Sequence, residues 1–248
     1  MAPQRKDYFA GSTAATYDAD TQDRFGPAHI EATVDFLAEL AGDGSALELG
    51  VGTGRIALPL AARGVPVQGI DLSPDMVAQL RAKPGGTAIG VTIGDFASIM
   101  VEGTFRLAYL VYNTIENLTS QDDQVACFTN VGHHLEPGGC FVVEVEVPPL
   151  RRLPPGESTL AFRVTPDRLG FDTLDVAQQL GVSHHYWVAE GQAGTFTMPF
   201  RYVWPAELDL MARIAGMRLR ERWSGWERKP FTGASASHVS VWEKLPDS

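Results

Sequence analysis

The sequence predicts an α/β fold built on a parallel sheet, and three stretches predict it. Ala46-Leu47-Glu48-Leu49 is a short apolar run broken by one acid, and it leads into Gly50, Gly52 and Gly54 at alternate positions, followed by a helical pattern. Val67-Gln68-Gly69-Ile70-Asp71 is a second apolar run that ends in an acid, 23 residues after Glu48. Ile93-Gly94-Asp95-Phe96 brings a third acid 24 residues further on. A strand, a helix and their two connections fill such an interval, so each unit adds one strand tip to the same edge of a sheet.

The glycine-rich turn marks a ligand site, because glycine tolerates positive φ and lets a ligand lie against bare backbone. A dinucleotide loop, G-x-G-x-x-G, places pyrophosphate on a helix N-terminus. Here the third glycine comes one residue earlier and Glu48 stands two residues before Gly50. A carboxylate there repels phosphate and suits an ammonium or a sulfonium, both of which S-adenosylmethionine carries. Asp71, with Leu72 beside it, is placed to accept from ribose hydroxyls. Asp95 is placed to accept from an adenine amino group, with the Phe96 ring packed on the base.

These motifs resemble the class I S-adenosylmethionine-dependent methyltransferases of the bacterial small-molecule type. The resemblance rests on E-x-G-x-G-x-G at Glu48 to Gly54, on Asp71, and on Asp95-Phe96. It continues through Tyr112-Asn113-Thr114 after the fourth strand and through His134-Leu135-Glu136-Pro137-Gly138-Gly139 before the fifth. It covers roughly residues 40 to 147 and returns for the last strands. It implies a Rossmann-like seven-stranded sheet in the order 3-2-1-4-5-7-6 with strand seven antiparallel and helices on both faces. It also implies S-adenosylmethionine as cofactor, S-adenosylhomocysteine as product, and an N-terminal tyrosine, here Tyr17, at the methionine end.

Taken in order, residues 1–27 form an arm expected to fold over the cofactor; they are polar yet carry Tyr8, Phe9, Tyr17 and Phe25. From Ala28 to Ala41, Ile30, Val34, Leu37 and Ala41 make one apolar helical stripe. Arg55 to Arg63 reads as a helix that Gly64 ends, and Ser73-Pro74 as an N-cap with proline at the first helical position. The fourth strand, Leu107 to Tyr112, opens into a loop expected to face donor and acceptor, with Asn113 on the cofactor and Asn117 toward the substrate. Thr119 or Ser120 caps a helix that runs to about Leu135, and Pro137-Gly138-Gly139 turns into a fifth strand from Cys140 to Val147. Residues 28–147 thus make the cofactor core.

Residues 148–204 change rhythm. Short β-like runs at Leu160 to Val164, Ser183 to Val188, Thr195 to Met198 and Arg201 to Trp204 predict an inserted antiparallel cap that forms the acceptor pocket. Residues 205–248 return to the core, with a helix from Pro205 and strands at Met217 to Trp223 and His238 to Trp242.

With 248 residues, 44% of them hydrophobic, the chain can bury one substantial core. A net charge of -10 without a basic block disfavours a nucleic-acid substrate. Cys127 and Cys140 are the two cysteines and read as core residues, so no metal cluster is expected. No signal peptide or membrane span is visible, which predicts a cytoplasmic protein. The sequence leaves the oligomeric state open.

Methyl transfer from a sulfonium needs alignment and a dry pocket more than it needs a base, and positioning is worth about 7–11 kcal/mol. If a base exists, the candidates are His184, His185 and Glu116, with Glu144 a competitor near the strand ends. Neighbours on a strand point to opposite faces, so at most one of the two histidines faces a pocket. Tyr8, Asn117, Arg201 and Trp204 are the candidate substrate contacts. The reading is methyl transfer to an O or N atom of a small metabolite by in-line displacement. Two alternatives stand: a non-catalytic S-adenosylmethionine-binding regulatory module, and a nicotinamide-dependent oxidoreductase, against which Glu48 argues.

Overall fold

A computed structural model describes residues 5–22, 25–189 and 191–246. The elements run α1 (Ser12–Thr21), α2 (Pro27–Ala41), β1 (Ala46–Leu49), α3 (Ala57–Ala62), β2 (Val67–Asp71), α4 (Pro74–Arg81), β3 (Gly90–Ile93), β4 (Phe105–Leu110), α5 (Gln121–His134) and β5 (Leu135–Glu146). After β5 come β6 (Thr159–Val164), β7 (Arg168–Asp175), β8 (Leu180–Ala189), β9 (Gln192–Arg201), α6 (Pro205–Ile214), β10 (Met217–Trp223) and β11 (Ser237–Lys244).

Seven strands form one sheet in the order β3-β2-β1-β4-β5-β11-β10, the order the resemblance implies. The first five are parallel, and β11 runs antiparallel to both β5 and β10. The central strands are buried on both faces, as a doubly covered parallel sheet requires. On one face Leu47, Leu49, Ala108 and Leu110 pack with Phe128 of α5, Met211 of α6 and Trp242. On the other, Ala46, Leu107, Tyr109 and Val142 pack with Phe36 and Leu37 of α2 and with Trp226.

Local chemistry explains the helix starts. Ser73 Oγ accepts from Met76 N at 3.3 Å with Pro74 at the first position of α4. Of Thr119 and Ser120, it is Ser120 that caps α5, accepting from Asp123 N at 3.1 Å, with Asp122 and Asp123 in the positive first turn. At the far end of α5, His134 Nε2 accepts from Val101 N at 3.0 Å, which leaves Nδ1 to donate to Asn130 O at 2.8 Å. This histidine is structural, as its position at a helix C-terminus predicts.

Two expectations need correction. Strand β5 begins at Leu135 rather than Cys140: its register on β4 passes from Phe105 opposite Leu135 to Leu107 opposite Cys140, so residues 136–139 bulge out opposite Arg106. Gly138 takes φ 79° in that bulge, a conformation closed to most other residues. The second correction concerns residues 148–204. They carry the four-stranded antiparallel sheet β6-β7-β8-β9, but its second strand is β7, which the apolar pattern missed, and Arg201 to Trp204 is no separate strand. Strand β9 ends at Arg201, and Trp204 is already the N-cap position of α6. Glycines at 170, 181 and 194 lie under the rings of Phe162, Phe200 and Trp187, where any Cβ would fall within 2.3 Å of a ring carbon.

Among the described residues no helix is long and apolar enough to cross a membrane.

Candidate active site

The glycine turn folds as the sequence predicts, and sterics show why it needs glycine. Gly50 and Gly54 have φ of 74° and 76°. A Cβ on Gly50 would lie 2.7 Å from Thr114 Cγ2, and one on Gly54 2.0 Å from Cδ1 of the fully buried Leu80. Gly50 therefore keeps room between two strand ends, and Gly54 lets α4 close against the loop. The turn is tied to β2 through Asp71, whose Oδ2 accepts from Gly52 N at 2.6 Å and whose Oδ1 accepts from Ser73 N at 2.8 Å. Each oxygen keeps a lone pair for a further donor.

At the carboxyl end of β4 the backbone does something unusual. Tyr112 and Asn113 both take left-handed conformations, φ 54° and 56°, which cost about 1–2 kcal/mol for a bulky residue. Strand β5 holds them: Glu144 Oε2 accepts from Tyr112 N at 2.9 Å, Glu144 O accepts from Asn113 N at 3.1 Å, and Asn113 Oδ1 accepts from Glu146 N at 2.8 Å. Glu144 Oε1 also accepts from Trp226 Nε1 at 2.8 Å, so Glu144 holds the loop together rather than competing as a base. The reversal aims the 3₁₀ turn Thr114–Asn117 over the glycine loop.

Between these elements lies a cavity of about 500 Å³. Tyr8, Tyr17, Gly50, Gly52, Asp71, Leu72, Asp95, Phe96 and Asn117 all line it. Met198 and Pro199 of β9 close one side. A smaller pocket of about 40 Å³ shares Tyr17, Gly50, Gly52 and Thr114 with it and adds Glu48, Arg55 and Tyr112. Glu48 is 3% exposed and its Oε2 accepts from the Tyr109 hydroxyl at 3.0 Å. Burial pushes its carboxyl up to about 8.

Helix α1 closes the glycine loop from outside. Asp18 Oδ1 accepts from Thr53 Oγ1 at 2.6 Å, and the same carboxylate pairs with Lys83. Tyr17, on this helix, lines both pockets, and burial pushes its phenol up to about 12. Ahead of the helix, Gly11 N donates to Asp75 Oδ2 at 2.7 Å, while Arg5 pairs with Asp95 at 2.8 Å and with Asp123 at 3.2 Å. One oxygen of Asp95 thus already holds the arm, and the other accepts from Ala97 N at 2.9 Å.

Several expected contacts fall elsewhere. Gly54 is a steric requirement under Leu80 and lines neither pocket. Asn113 spends its side chain on β5, not on the cavity. His184 stacks on Phe171 with ring centroids 4.8 Å apart, and His185 sits among Ser183, Phe162 and Phe196; neither lines the cavity. Arg201 is 5% exposed, bonded to Gln124 and paired with Glu207 at 2.7 Å, and Trp204 starts α6 outside the cavity. A planar cation beside an aromatic reads as a ligand contact in sequence, but here its partners lie 77 residues away and six residues ahead. Glu116, on the 3₁₀ turn, lines neither pocket either; burial, then the nearby carboxylates of Glu146 and Asp172, hold its carboxyl well above the ordinary range. Arg5 and Arg55 were missed, and no local pattern marks either.

Known proteins resemble this one over the same regions. The family profile described as "Methyltransferase domain" matches residues 46–139. The solved structure of the CcbJ methyltransferase from Streptomyces caelestis is 34% identical, covers 92% of this chain and 96% of its own, and superposes with a TM-score of 0.81. The cypemycin N-terminal methyltransferase of a Streptomyces species is 26% identical over 203 residues, 80% of this chain and 82% of that relative. CalS10, an amino pentose methyltransferase from Micromonospora echinaspora solved with S-adenosylmethionine bound, shares the fold at 21% identity, with a TM-score of 0.72 over 97% of this chain and 99% of that one.

Proposed function

Since this chain belongs to the class I S-adenosylmethionine-dependent methyltransferases and uses S-adenosylmethionine to methylate a small molecule, we propose that the acceptor atom is an amine nitrogen. Membership sets aside the regulatory-module and nicotinamide readings. The residues fit the cofactor. Gly50 leaves bare backbone where a Cβ would meet Thr114, Asp71 lines the cavity with a lone pair left on each oxygen, and Glu48 and Arg55 bring a carboxyl group and a guanidinium to the small pocket. Bound S-adenosylmethionine supplies a methyl group already activated by a positive sulfur, for a single in-line displacement.

The protein's own share of the work is placement and exclusion. Asp71 would hold the ribose, Phe96 and Leu72 would flank the base, and Asp95 would share its carboxylate between Arg5 and the adenine amino group. Helix α1 and Tyr17 would keep water from the reacting centre. The sheet β6–β9 would bound the acceptor space, with Met198 and Pro199 already at the cavity wall.

One observation carries the choice of nitrogen over oxygen. Glu116 stands one residue from the cavity-lining Asn117, in the field of Glu146 and Asp172, with its carboxyl pushed up by burial and those neighbours. Three clustered carboxylates attract an ammonium, and one with a raised pKa is suited to take its proton before the amine attacks. The names of the cypemycin N-terminal methyltransferase and of the amino pentose methyltransferase point to the same kind of acceptor.

The test is transfer of labelled methyl to matched pairs: an amino sugar and its hydroxy analogue, a peptide with a free N-terminus and its N-acetylated form. Turnover of the amines alone supports the reading. Methylation of the hydroxy compounds with the amines inert overturns it.

A further inference from the structure

We propose that Trp226 and Glu144 are a positioning pair for the cofactor site: the indole N–H fixes the carboxylate, and the carboxylate fixes the reversed backbone after β4 in its ligand-binding shape. Neither side chain lines the large cavity or the small pocket. The inference is independent of which atom accepts the methyl group.

The pair begins in the connection between β10 and β11. A buried indole needs an acceptor for its N–H. Trp226 is 4% exposed, and its Nε1 donates to Glu144 Oε1 at 2.8 Å. The connection is fastened to α2 around that ring. Phe36 meets the indole at 75° with centroids 5.4 Å apart, and the Arg228 guanidinium lies 4.5 Å from the Phe36 centroid while pairing with Glu39 at 2.7 Å. The other carboxylate oxygen of Glu144 accepts from Tyr112 N, the first of the two left-handed residues. Each oxygen thus has one N–H of its own. His29 Nε2, 3.7 Å from Oε1, lies beyond hydrogen-bond reach.

Two successive non-glycine residues in left-handed conformations persist only where the surroundings over-determine them, and such residues cluster where ligands are held. Tyr112 lines the small pocket, and the reversal it starts brings Thr114 into the walls of both pockets. Without the Glu144 bond the backbone returns to ordinary dihedrals and those walls move. The chemistry of the pair is also specific. A carboxylate offers an acceptor to each of two donors, whereas a glutamine offers one acceptor and turns an NH2 on the other N–H.

That mismatch supplies the test: calorimetric titration of S-adenosylhomocysteine into wild type, Glu144→Gln, Trp226→Phe and the double variant. Glu144→Gln sets one donor against another and should weaken binding by about 10-fold or more, within the range for an unsatisfied buried donor. Trp226→Phe keeps a ring in the packing and removes one donor, for a loss of about threefold. In the double variant the amide oxygen takes Tyr112 N and the NH2 meets no donor, so binding should be tighter than in Glu144→Gln alone, a rescue that independent sites do not show. A double variant that binds as weakly as Glu144→Gln, or more weakly, overturns the proposal. So do two single variants with wild-type affinity. Should Trp226→Phe fail to fold, hydrogen exchange in wild type decides. Ligand at about 100 times its Kd should slow exchange at Tyr112 N by up to about 100-fold, since opening there dismantles the site; exchange at Tyr112 N that ignores saturating ligand overturns the proposal.

Discussion

Glu48→Gln removes a titratable carboxyl group from a site that is 3% exposed, and its consequences can be worked through in numbers. In the free protein burial holds the Glu48 carboxyl at about 8, so at pH 7 about nine molecules in ten carry it protonated. Forming the carboxylate at pH 7 costs about 1.4 kcal/mol, one pH unit's worth. An ammonium seated against it reverses the preference, and the proton must leave. Binding of S-adenosylhomocysteine at pH 7 should therefore release close to one proton, and affinity should climb by nearly tenfold per unit between about pH 6 and 8. In Glu48→Gln the release vanishes and the slope flattens, with affinity at pH 8 lower by about 10- to 100-fold for loss of the charged hydrogen bond. The assay is calorimetry at pH 7 in two buffers of different ionisation enthalpy, where the difference in heats counts protons. Equal heats in the two buffers for wild type, together with pH-independent affinity, would refute the placement of the ammonium on Glu48.

The remaining expectations concern stability and closure. In the ligand-free protein Glu48 is protonated over a range where the unfolded chain, with a carboxyl near 4.5, is not; stability should fall by about 1.4 kcal/mol per unit from pH 5 toward 8 through this group. Glu48→Gln should remove that slope in chemical unfolding, and a variant slope equal to wild type would count against the raised value. Gly54→Ala combines a left-handed φ with a clash on buried Leu80 and should lose about 2–5 kcal/mol in urea, against about 1–2 for Gly64→Ala, whose Cβ meets nothing; equal losses would refute the steric account. Arg201→Met should lose about 3 kcal/mol by breaking its pair with Glu207, yet leave the acceptor KM unchanged; a raised KM at full stability would return Arg201 to the acceptor site. Arg5→Ala should speed dissociation of S-adenosylhomocysteine about fivefold, in line with about 1 kcal/mol for a partly exposed pair, and high salt should mimic it in wild type only.

The elements that could be read from the sequence are those whose signal is local. The glycine loop, the acid at the tip of β2, the Ser73-Pro74 helix start and the limits of β10 are each written within a few consecutive residues. What escaped depends on partners far along the chain. Strand β7 is polar and carries Gly170, which fits a sheet because Phe162 of the neighbouring strand covers it. Asn113 looks like a site residue from its place after β4, but Glu146 N claims its side chain across 33 positions. Arg201 is withdrawn from the acceptor by Gln124, and the histidines of β8 by the rings that pack on them. Arg55 is the converse case. Among the described residues its buried Nε and Nη1 have no hydrogen-bond partner, which no local pattern could show.

The fastening of Arg201 has a bearing on how such enzymes diversify. It joins the last residue of the four-stranded sheet to Gln124 on α5 and to Glu207 on α6, both in the layer that carries the large sheet, and Gln121 and Gln179 bond the same glutamate from opposite sides. Transplanting residues 148–204 from one homologue into another would sever this knot unless positions 121, 124 and 207 travel with the graft. A chimera built on the segment alone would inherit a buried guanidinium with no counter-charge. One that moves the small set together would exchange the acceptor-facing sheet while leaving the glycine loop untouched.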